Sequence, residues 1–236
     1  CVQFVISFYA ILKAGGVVVA LNPTFPPIKL NDLLIDSGAT VVLTLTLFYD
    51  GLKQFQPDTR VKQVIVTNIK EYLPGLARVL FTLAKEKKEG HRIEKRPEDH
   101  WLQDVLARYA GKKPNVDVKA DDLAIFQYTG GTTGVPKAAM STHAALVANT
   151  LQCEAWLARP DVQEVFLAAI PMFHVFGMVA VMSFAVSLHA TMILVPNPRV
   201  IDDVVESIHL YRPSLFMGVP AMFNAINNHA GVASGK

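Results

Sequence analysis

Apolar runs rich in β-branched residues recur along the 236-residue chain, at 17–21, 40–47, 63–67, 123–128, 165–170, 191–195 and 214–217. Most are continuously apolar rather than alternating, which is the pattern of strands covered on both faces. Between them lie helical stretches at 27–37, 143–157, 177–188, 200–211 and 219–229, and residues 1–12 read as the interior of another helix. This alternation predicts an α/β fold built from mainly parallel sheets flanked by helices. No internal repeat is visible.

One segment breaks the rhythm. Residues 71–113 show no strand pattern, whereas Leu73, Leu76, Val79, Leu80 and Leu83 keep helical spacing, with Pro74 in the first turn. A charged turn follows at 85–92, and a second helix is predicted at about 98–109, after Pro97. A helical hairpin on a sheet edge is one reading. The other is an interfacial helix whose basic neighbours, within 71–96, touch a membrane surface. Residues 165–198 contain no Asp, Glu, Lys or Arg, but Pro171, Gly177 and two histidines interrupt them. The cleanest helical piece, 175–188, is too short to span a bilayer and reads as a buried core helix.

Composition narrows the classes. With 51% hydrophobic residues the chain has ample material for a core. A net charge of +2, without basic residues interleaved with aromatics, argues against nucleic acid as a partner. Two cysteines, Cys1 and Cys153, are too few for a disulfide framework and favour a reducing, cytoplasmic compartment. The apolar start at Cys1 is unlike a secretory leader. Together with the abrupt end at Lys236, it suggests a portion of a larger protein. Oligomeric state is not legible in the sequence.

The stretch Tyr128-Thr129-Gly130-Gly131-Thr132-Thr133-Gly134-Val135-Pro136-Lys137 has almost nothing to bury, yet it follows an apolar strand. Glycines let backbone N–H groups approach an anion, threonines add hydroxyls, and Lys137 adds a positive charge, so polyphosphate is the expected ligand. A helix is expected after the loop, capped by Ser141 or Thr142, with its N-terminus also favouring negative charge. The loop fails the Walker pattern, because Pro136 precedes Lys137 and Ala138 follows it. It fails the dinucleotide pattern as well, supplying only its second half.

These residues, with Ala138-Ala139-Met140-Ser141-Thr142-His143 after them, resemble the phosphate-binding motif of the adenylate-forming enzymes, the AMP-binding superfamily of acyl-CoA synthetases, luciferases and adenylation domains. Ala138 stands where that motif commonly has glycine. Residues 15–23 and 36–39 resemble the family's early strand-and-turn and next helix end. Residues 170–178 are similar to its second motif, and 213–223 resemble the stretch lining its acyl site. The segment 71–113 resembles an insertion typical of bacterial long-chain fatty acid–CoA ligases.

The resemblance implies that 1–236 is part of the N-terminal AMP-binding domain, without the C-terminal domain and inactive alone. It implies ATP, Mg²⁺ and coenzyme A, and a fatty acid activated through an acyl adenylate. Thr129, Gly130, Gly131, Thr132, Thr133, Gly134 and Lys137 would hold the phosphates. Thr129 would also contact the metal, and Lys137 would offset charge on departing pyrophosphate. His174 would position the carboxylate, with Met172, Phe173, Phe176, Met178 and Gly218 around the acyl group. From the residues alone, His174 and its apolar neighbours read equally as ordinary core. Medium-chain or aryl acids, or a non-catalytic nucleotide-binding module, remain alternatives. The family's adenine, ribose and distal lysine motifs do not occur in this sequence. Peripheral attachment to the inner face of a membrane remains open.

Overall fold

The computed structural model describes residues 1–129, 137–159 and 161–235. Helix α1 (Val2–Lys13) leads into the short strand β1 (Val18–Val19), and α2 (Pro27–Ser37) into β2 (Val41–Leu45). Then follow α3 (Thr46–Phe55), β3 (Gln63–Thr67), α4 (Gly75–Ala84), β4 (His100–Trp101) and α5 (Leu102–Arg108). Strands β5 (Leu123–Thr129) and β6 (Lys137–Thr142) precede α6 (His143–Leu157) and β7 (Val165–Ala168). After a helix over 175–187 that includes α7 (Phe184–Ser187) come β8 (Thr191–Leu194), α8 (Ile201–Tyr211), α9 (Pro220–Asn227) and α10 (Ala230–Ala233).

The described strands form three sheets, ordered β1-β5-β6, β2-β3-β4 and β7-β8. Every pairing is parallel except β5 with β6. The predicted run at 214–217 contributes only a parallel bridge from Leu215 to Phe166. Ser214 holds that crossing in place: its hydroxyl accepts from the Val165 N–H at 2.8 Å and donates to the Glu164 carboxylate. Arg159 grips the other side of that buried carboxylate through two 2.8 Å bonds.

Continuous apolar strands do lie between two buried layers. In β7, Phe166 and Ala168 face the principal core with Phe8, Ile125, Met178 and Phe184. Leu167, from the opposite face, joins Ala169, Val195 and Val204 under α8. A third cluster, of Leu34, Tyr49, Leu52, Val64 and Val66, fills the space around β2 and β3.

The segment 71–113 departs from the expected helical hairpin. Strand β4 pairs in parallel with β3, Ile65 opposite His100, and α5 starts at Leu102 rather than near 98. A two-residue strand flanked by charges gives no period to read. Helix α3 and strand β6 were likewise not legible: Thr46 and Leu47 prolong the β-branched run of β2, and Ala138-Ala139 carries no strand preference.

Polar side chains staple this segment to the second sheet. The Lys53 ammonium lies 2.9 Å from Asp99 Oδ2, and the Tyr49 hydroxyl donates to the same oxygen at 2.5 Å. The Arg96 N–H donates to Tyr49 Oη at 2.8 Å. Nearby, Thr46 Oγ1 and His91 Nδ1 are 2.9 Å apart, and Asn68 Nδ2 donates to Glu86 at 2.9 Å and to the His91 carbonyl at 3.2 Å. Helix α1 joins in, because Gln3 Nε2 donates to the Asn68 carbonyl at 3.0 Å. No helix among the described residues is long and apolar enough to cross a membrane.

Burial opposes ionisation of Asp99, but hydrogen bonds from Tyr49 and Lys53 outweigh it and hold the carboxyl below its ordinary pKa. Burial, then the Asp99 hydrogen bond, pushes the Tyr49 phenol up to about 12. A depressed carboxyl stabilises the fold above its unfolded pKa of about 4 and loses that contribution as pH falls through the folded value. Asp99→Ala leaves Lys53 buried without its closest anion, so urea unfolding at neutral pH should show a loss of about 3–5 kcal/mol. The variant should also show a flatter acid limb below about pH 4.

Candidate functional site

Strands β5 and β6 form an antiparallel hairpin, joined in sequence by the glycine-threonine stretch. Thr129 pairs with Lys137 at its mouth, and Thr129 Oγ1 donates to the Lys137 carbonyl at 3.3 Å. Both side chains are exposed. Gly130, Gly131, Thr132, Thr133 and Gly134 lie outside the described residues.

The expected helix does not follow the loop directly. Strand β6 intervenes and runs back along β5 until Thr142 reaches Leu123. Five residue steps at about 3.4 Å put the start of α6 roughly 17 Å along the strand from Lys137. Thr142 caps α6 as expected, accepting from the Ala145 N–H at 3.2 Å. The His143 and Ala144 N–H groups are taken by the Asp122 and Ala120 carbonyls, at 3.1 and 2.8 Å. Three of the four N–H groups that a helix start leaves free are thereby used. The α6 terminus is therefore too far from Lys137 and too fully bonded to share an anion with it, contrary to the dipole expectation.

Gln127 and Tyr128 leave β5 on opposite faces. Tyr128 donates from its hydroxyl to the Asp36 carboxylate near the end of α2. Burial, and then that acceptor, push the Tyr128 phenol well above its ordinary pKa. Gln127 Nε2 donates to the Phe173 carbonyl at 3.2 Å. That contact brings together the loop strand and the His174 turn, the two motifs separated by more than forty residues of sequence.

The turn itself is tight. The His174 N–H donates to the Pro171 carbonyl at 3.1 Å, and the Phe176 N–H to His174 Nδ1 at 3.3 Å. The His174 and Phe176 side chains are exposed, Phe173 is half-buried, and Met172 is buried. Met178 is wholly enclosed in the principal core, so its packing role is the one the geometry displays. The helix then widens to π winding over Gly177–Ser183. Such segments occur preferentially where a helix borders a functional site.

Gly177 is required by close approach: a Cβ there would sit 2.5 Å from the Pro171 carbonyl oxygen. Gly218 lies under the Phe223 ring, whose Cζ would be 2.5 Å from an added Cβ. Phe223 in turn meets Phe216 edge-on, with ring centroids 5.2 Å apart. Sequence reasoning named Gly218 but missed Gln127 and Asp36 as site-framing residues. The period-two alternation of β5 was the signal that would have separated the outward reach of Gln127 from that of Tyr128.

The Thr129 hydroxyl is a hard oxygen donor of the kind Mg²⁺ accepts, so it fits as one ligand. Among the described residues no group of three His, Cys, Asp or Glu side chains converges on a metal position.

Comparison with known proteins places the chain in a family. The family model described as AMP-binding enzyme matches residues 1–235. A long-chain-fatty-acid–CoA ligase of Bacillus subtilis (strain 168) is 34% identical over 235 residues, covering 97% of this chain and 41% of that protein. One from Haemophilus influenzae is 34% identical over 236 residues, covering 96% of this chain and 42% of that protein. The crystal structure of a long-chain-fatty-acid–CoA ligase, FadD1, from Archaeoglobus fulgidus superposes with a TM-score of 0.77 at 24% identity, covering 99% of this chain and 40% of that one. The chain thus spans about two fifths of the length of the curated relatives it matches.

Replacing Gly177 with alanine forces the helix start away from Pro171. The Gly177→Ala variant should lose about 1–3 kcal/mol in denaturant unfolding, the usual cost of overpacking.

Proposed function

This chain belongs to the AMP-binding enzyme family, and on that footing we propose that it supplies the phosphate-binding and acyl-entrance part of a long-chain fatty acid–CoA ligase. In this reading residues 1–236 are a portion of the N-terminal AMP-binding domain, and 71–113 is an insertion within it. The supporting observation is the Gln127–Phe173 bond, which sets an exposed lysine-threonine hairpin beside an exposed histidine turn. The named relatives supply the chain-length class.

The reaction has two halves. A fatty acid carboxylate oxygen attacks the α-phosphorus of ATP, forming the acyl adenylate and expelling pyrophosphate. The thiolate of coenzyme A then attacks the acyl carbon and expels AMP, leaving the thioester. A carboxylate alone is a poor acylating agent because oxide would have to leave. The mixed anhydride replaces oxide with AMP. The protein's task is to orient the reactants and offset developing charge.

Lys137, on a rigid strand rather than on the loop itself, is a point charge for the β- and γ-phosphates and for the departing pyrophosphate. The 130–134 backbone and the Thr132 and Thr133 hydroxyls wrap the same oxygens. Thr129 would hold Mg²⁺, whose positive charge would offset the repulsion between the phosphates. His174 orients the carboxylate. Phe173, Phe176 and Gly218 border the acyl group, with Met178 backing them from the core.

The reading extends to a cytoplasmic protein held at the inner face of a membrane through 71–96. Helix α4 has no buried residue, and Leu76 and Leu83 stand 76% and 81% exposed on the face they share with Val79 and Leu80. Residues 71–96 carry seven Lys and Arg against four Glu, a surplus of three, although the whole chain is only +2. An exposed apolar strip beside a basic segment suits an anionic lipid surface.

In the full-length protein, Lys137→Ala should lower palmitate-dependent pyrophosphate release by about 10²-fold, the scale of losing one charge-stabilising group. Its thermal unfolding midpoint should stay unchanged, because Lys137 is exposed. An unchanged release rate would remove Lys137 from the mechanism. In flotation, the full-length protein should rise with phosphatidylglycerol vesicles and not with phosphatidylcholine vesicles. The Leu80→Ser/Leu83→Ser variant should stay at the bottom in both; if it still floats, α4 is not the contact.

A further inference from the structure

The His174 side chain is exposed, yet one of its two ring nitrogens is already used inside the turn. The Phe176 N–H donates to Nδ1 at 3.3 Å, and Nε2 makes no hydrogen bond among the described residues. A backbone N–H can only donate, so Nδ1 must carry a lone pair rather than a proton. In the neutral ring the proton then sits on Nε2, because the bond made by one nitrogen sets the tautomer of the other. A doubly protonated ring would set an Nδ1–H against the Phe176 N–H and break the contact.

The backbone around the ring leaves little room to escape this choice. The His174 N–H donates to the Pro171 carbonyl at 3.1 Å, and the His174 carbonyl accepts from the Met178 N–H at 2.9 Å. The preceding carbonyl, of Phe173, accepts from the Gln127 amide at 3.2 Å. Gly177 closes on the Pro171 carbonyl oxygen, which would lie 2.5 Å from an added Cβ. Residues 165–198 include no Asp or Glu, so the segment that carries His174 supplies no carboxylate to draw a second proton onto the ring.

We propose that the Phe176 N–H is a positioning group for acyl activation: by occupying Nδ1 it presents His174 to the fatty acid as a neutral Nε2–H donor and excludes it as a base. The inference rests on the ligase reading, which supplies the carboxylate. A carboxyl group with an ordinary pKa of about 4 is ionised at neutral pH and needs no base before it attacks. It needs orientation, because either oxygen can react. The Nε2–H holds one oxygen. A lone pair of the other forms the bond to the α-phosphorus as the bond to pyrophosphate breaks, and that electron pair leaves with pyrophosphate. No proton is transferred.

The first test reads the tautomer directly. In long-range ¹H–¹⁵N spectra of full-length protein labelled with ¹⁵N-histidine at neutral pH, the His174 ring is identified by its absence from His174→Asn. It should show a bare Nδ1 and a protonated Nε2, and palmitate should move the Nε2 resonance. A proton on Nδ1, or an Nε2 resonance that palmitate leaves in place, overturns the proposal. The second test incorporates Nδ1-methylhistidine at position 174, which moves the lone pair to Nε2 and removes the donor. Its kcat/KM for palmitate in pyrophosphate release should fall by about 10- to 100-fold, the worth of a hydrogen bond to a charged group. An equal or higher value overturns the donor role, since the methylated ring could still act as a base. If the methylated protein does not fold, His174→Gln and His174→Leu give the comparison. The glutamine amide keeps an N–H donor and should retain at least about tenfold more kcat/KM than leucine; equal losses overturn the proposal. Unmodified protein that releases no pyrophosphate with palmitate overturns the ligase reading instead, and leaves the tautomer spectrum as it was.

Discussion

Successive side chains of a β-strand leave on opposite faces, and the candidate site is organised by that alternation at the end of β5. Gln127 goes one way, to the Phe173 carbonyl, and Tyr128 goes the other, to Asp36 on α2. Parallel pairing with β1 and antiparallel pairing with β6 fix the register behind them. A slip of one residue would exchange the two faces, losing both bonds together. The mouth of the loop, set by Thr129 opposite Lys137, would lose its register in the same slip.

The surrounding packing keeps that strand end still. Ile125 belongs to the same core as Phe166, Met178 and Phe184, so β5, β7 and the helix after the His174 turn share one apolar interior. The second sheet is assembled differently. Around its apolar cluster, the Lys53–Asp99–Tyr49 group and the Asn68–Glu86–His91 group tie 86–99 to β3 and α3 through polar bonds. Taking one partner from such a set is costly because the other stays buried. That explains why helix α4 can stand clear of the body: its described attachments are Phe81, edge-on to His91, the Arg78–Glu71 ion pair and the turn that follows it, rather than a buried helical face.

The sequence was most informative where hydrophobic period and punctuation agreed. Helices α2 and α6 and strand β3 match their expected limits, because Pro27 opens α2, Gly38 closes it in a left-handed conformation, and Thr142 caps α6. The parallel character of most pairings followed from the continuously apolar runs. What stayed hidden was set by partners distant in sequence. Strand β6 exists because β5 lies beside it, β4 because β3 does, and α3 begins inside an unbroken β-branched run. The site shows the same division. Lys137 and Thr129 stood out in the glycine-threonine stretch and His174 through the family resemblance, whereas Gln127 acquires significance only when Phe173 is found 3.2 Å away.

Under the proposed function, the hairpin pairing also alters which groups would hold a polyphosphate beside Lys137. Where a glycine-rich loop opens straight into a helix, the helix N-terminus supplies unpaired N–H groups and part of the positive potential. Here a whole strand separates the loop from α6, and three N–H groups at the start of that helix are already bonded within the protein. The positive charge must then come from a side chain. Lys137 is placed for it, on the first residue of β6, where pairing with Thr129 fixes the backbone beneath a flexible stem. A lysine carried on a strand keeps its reach while its anchor stays still, which suits the pyrophosphate role proposed for it.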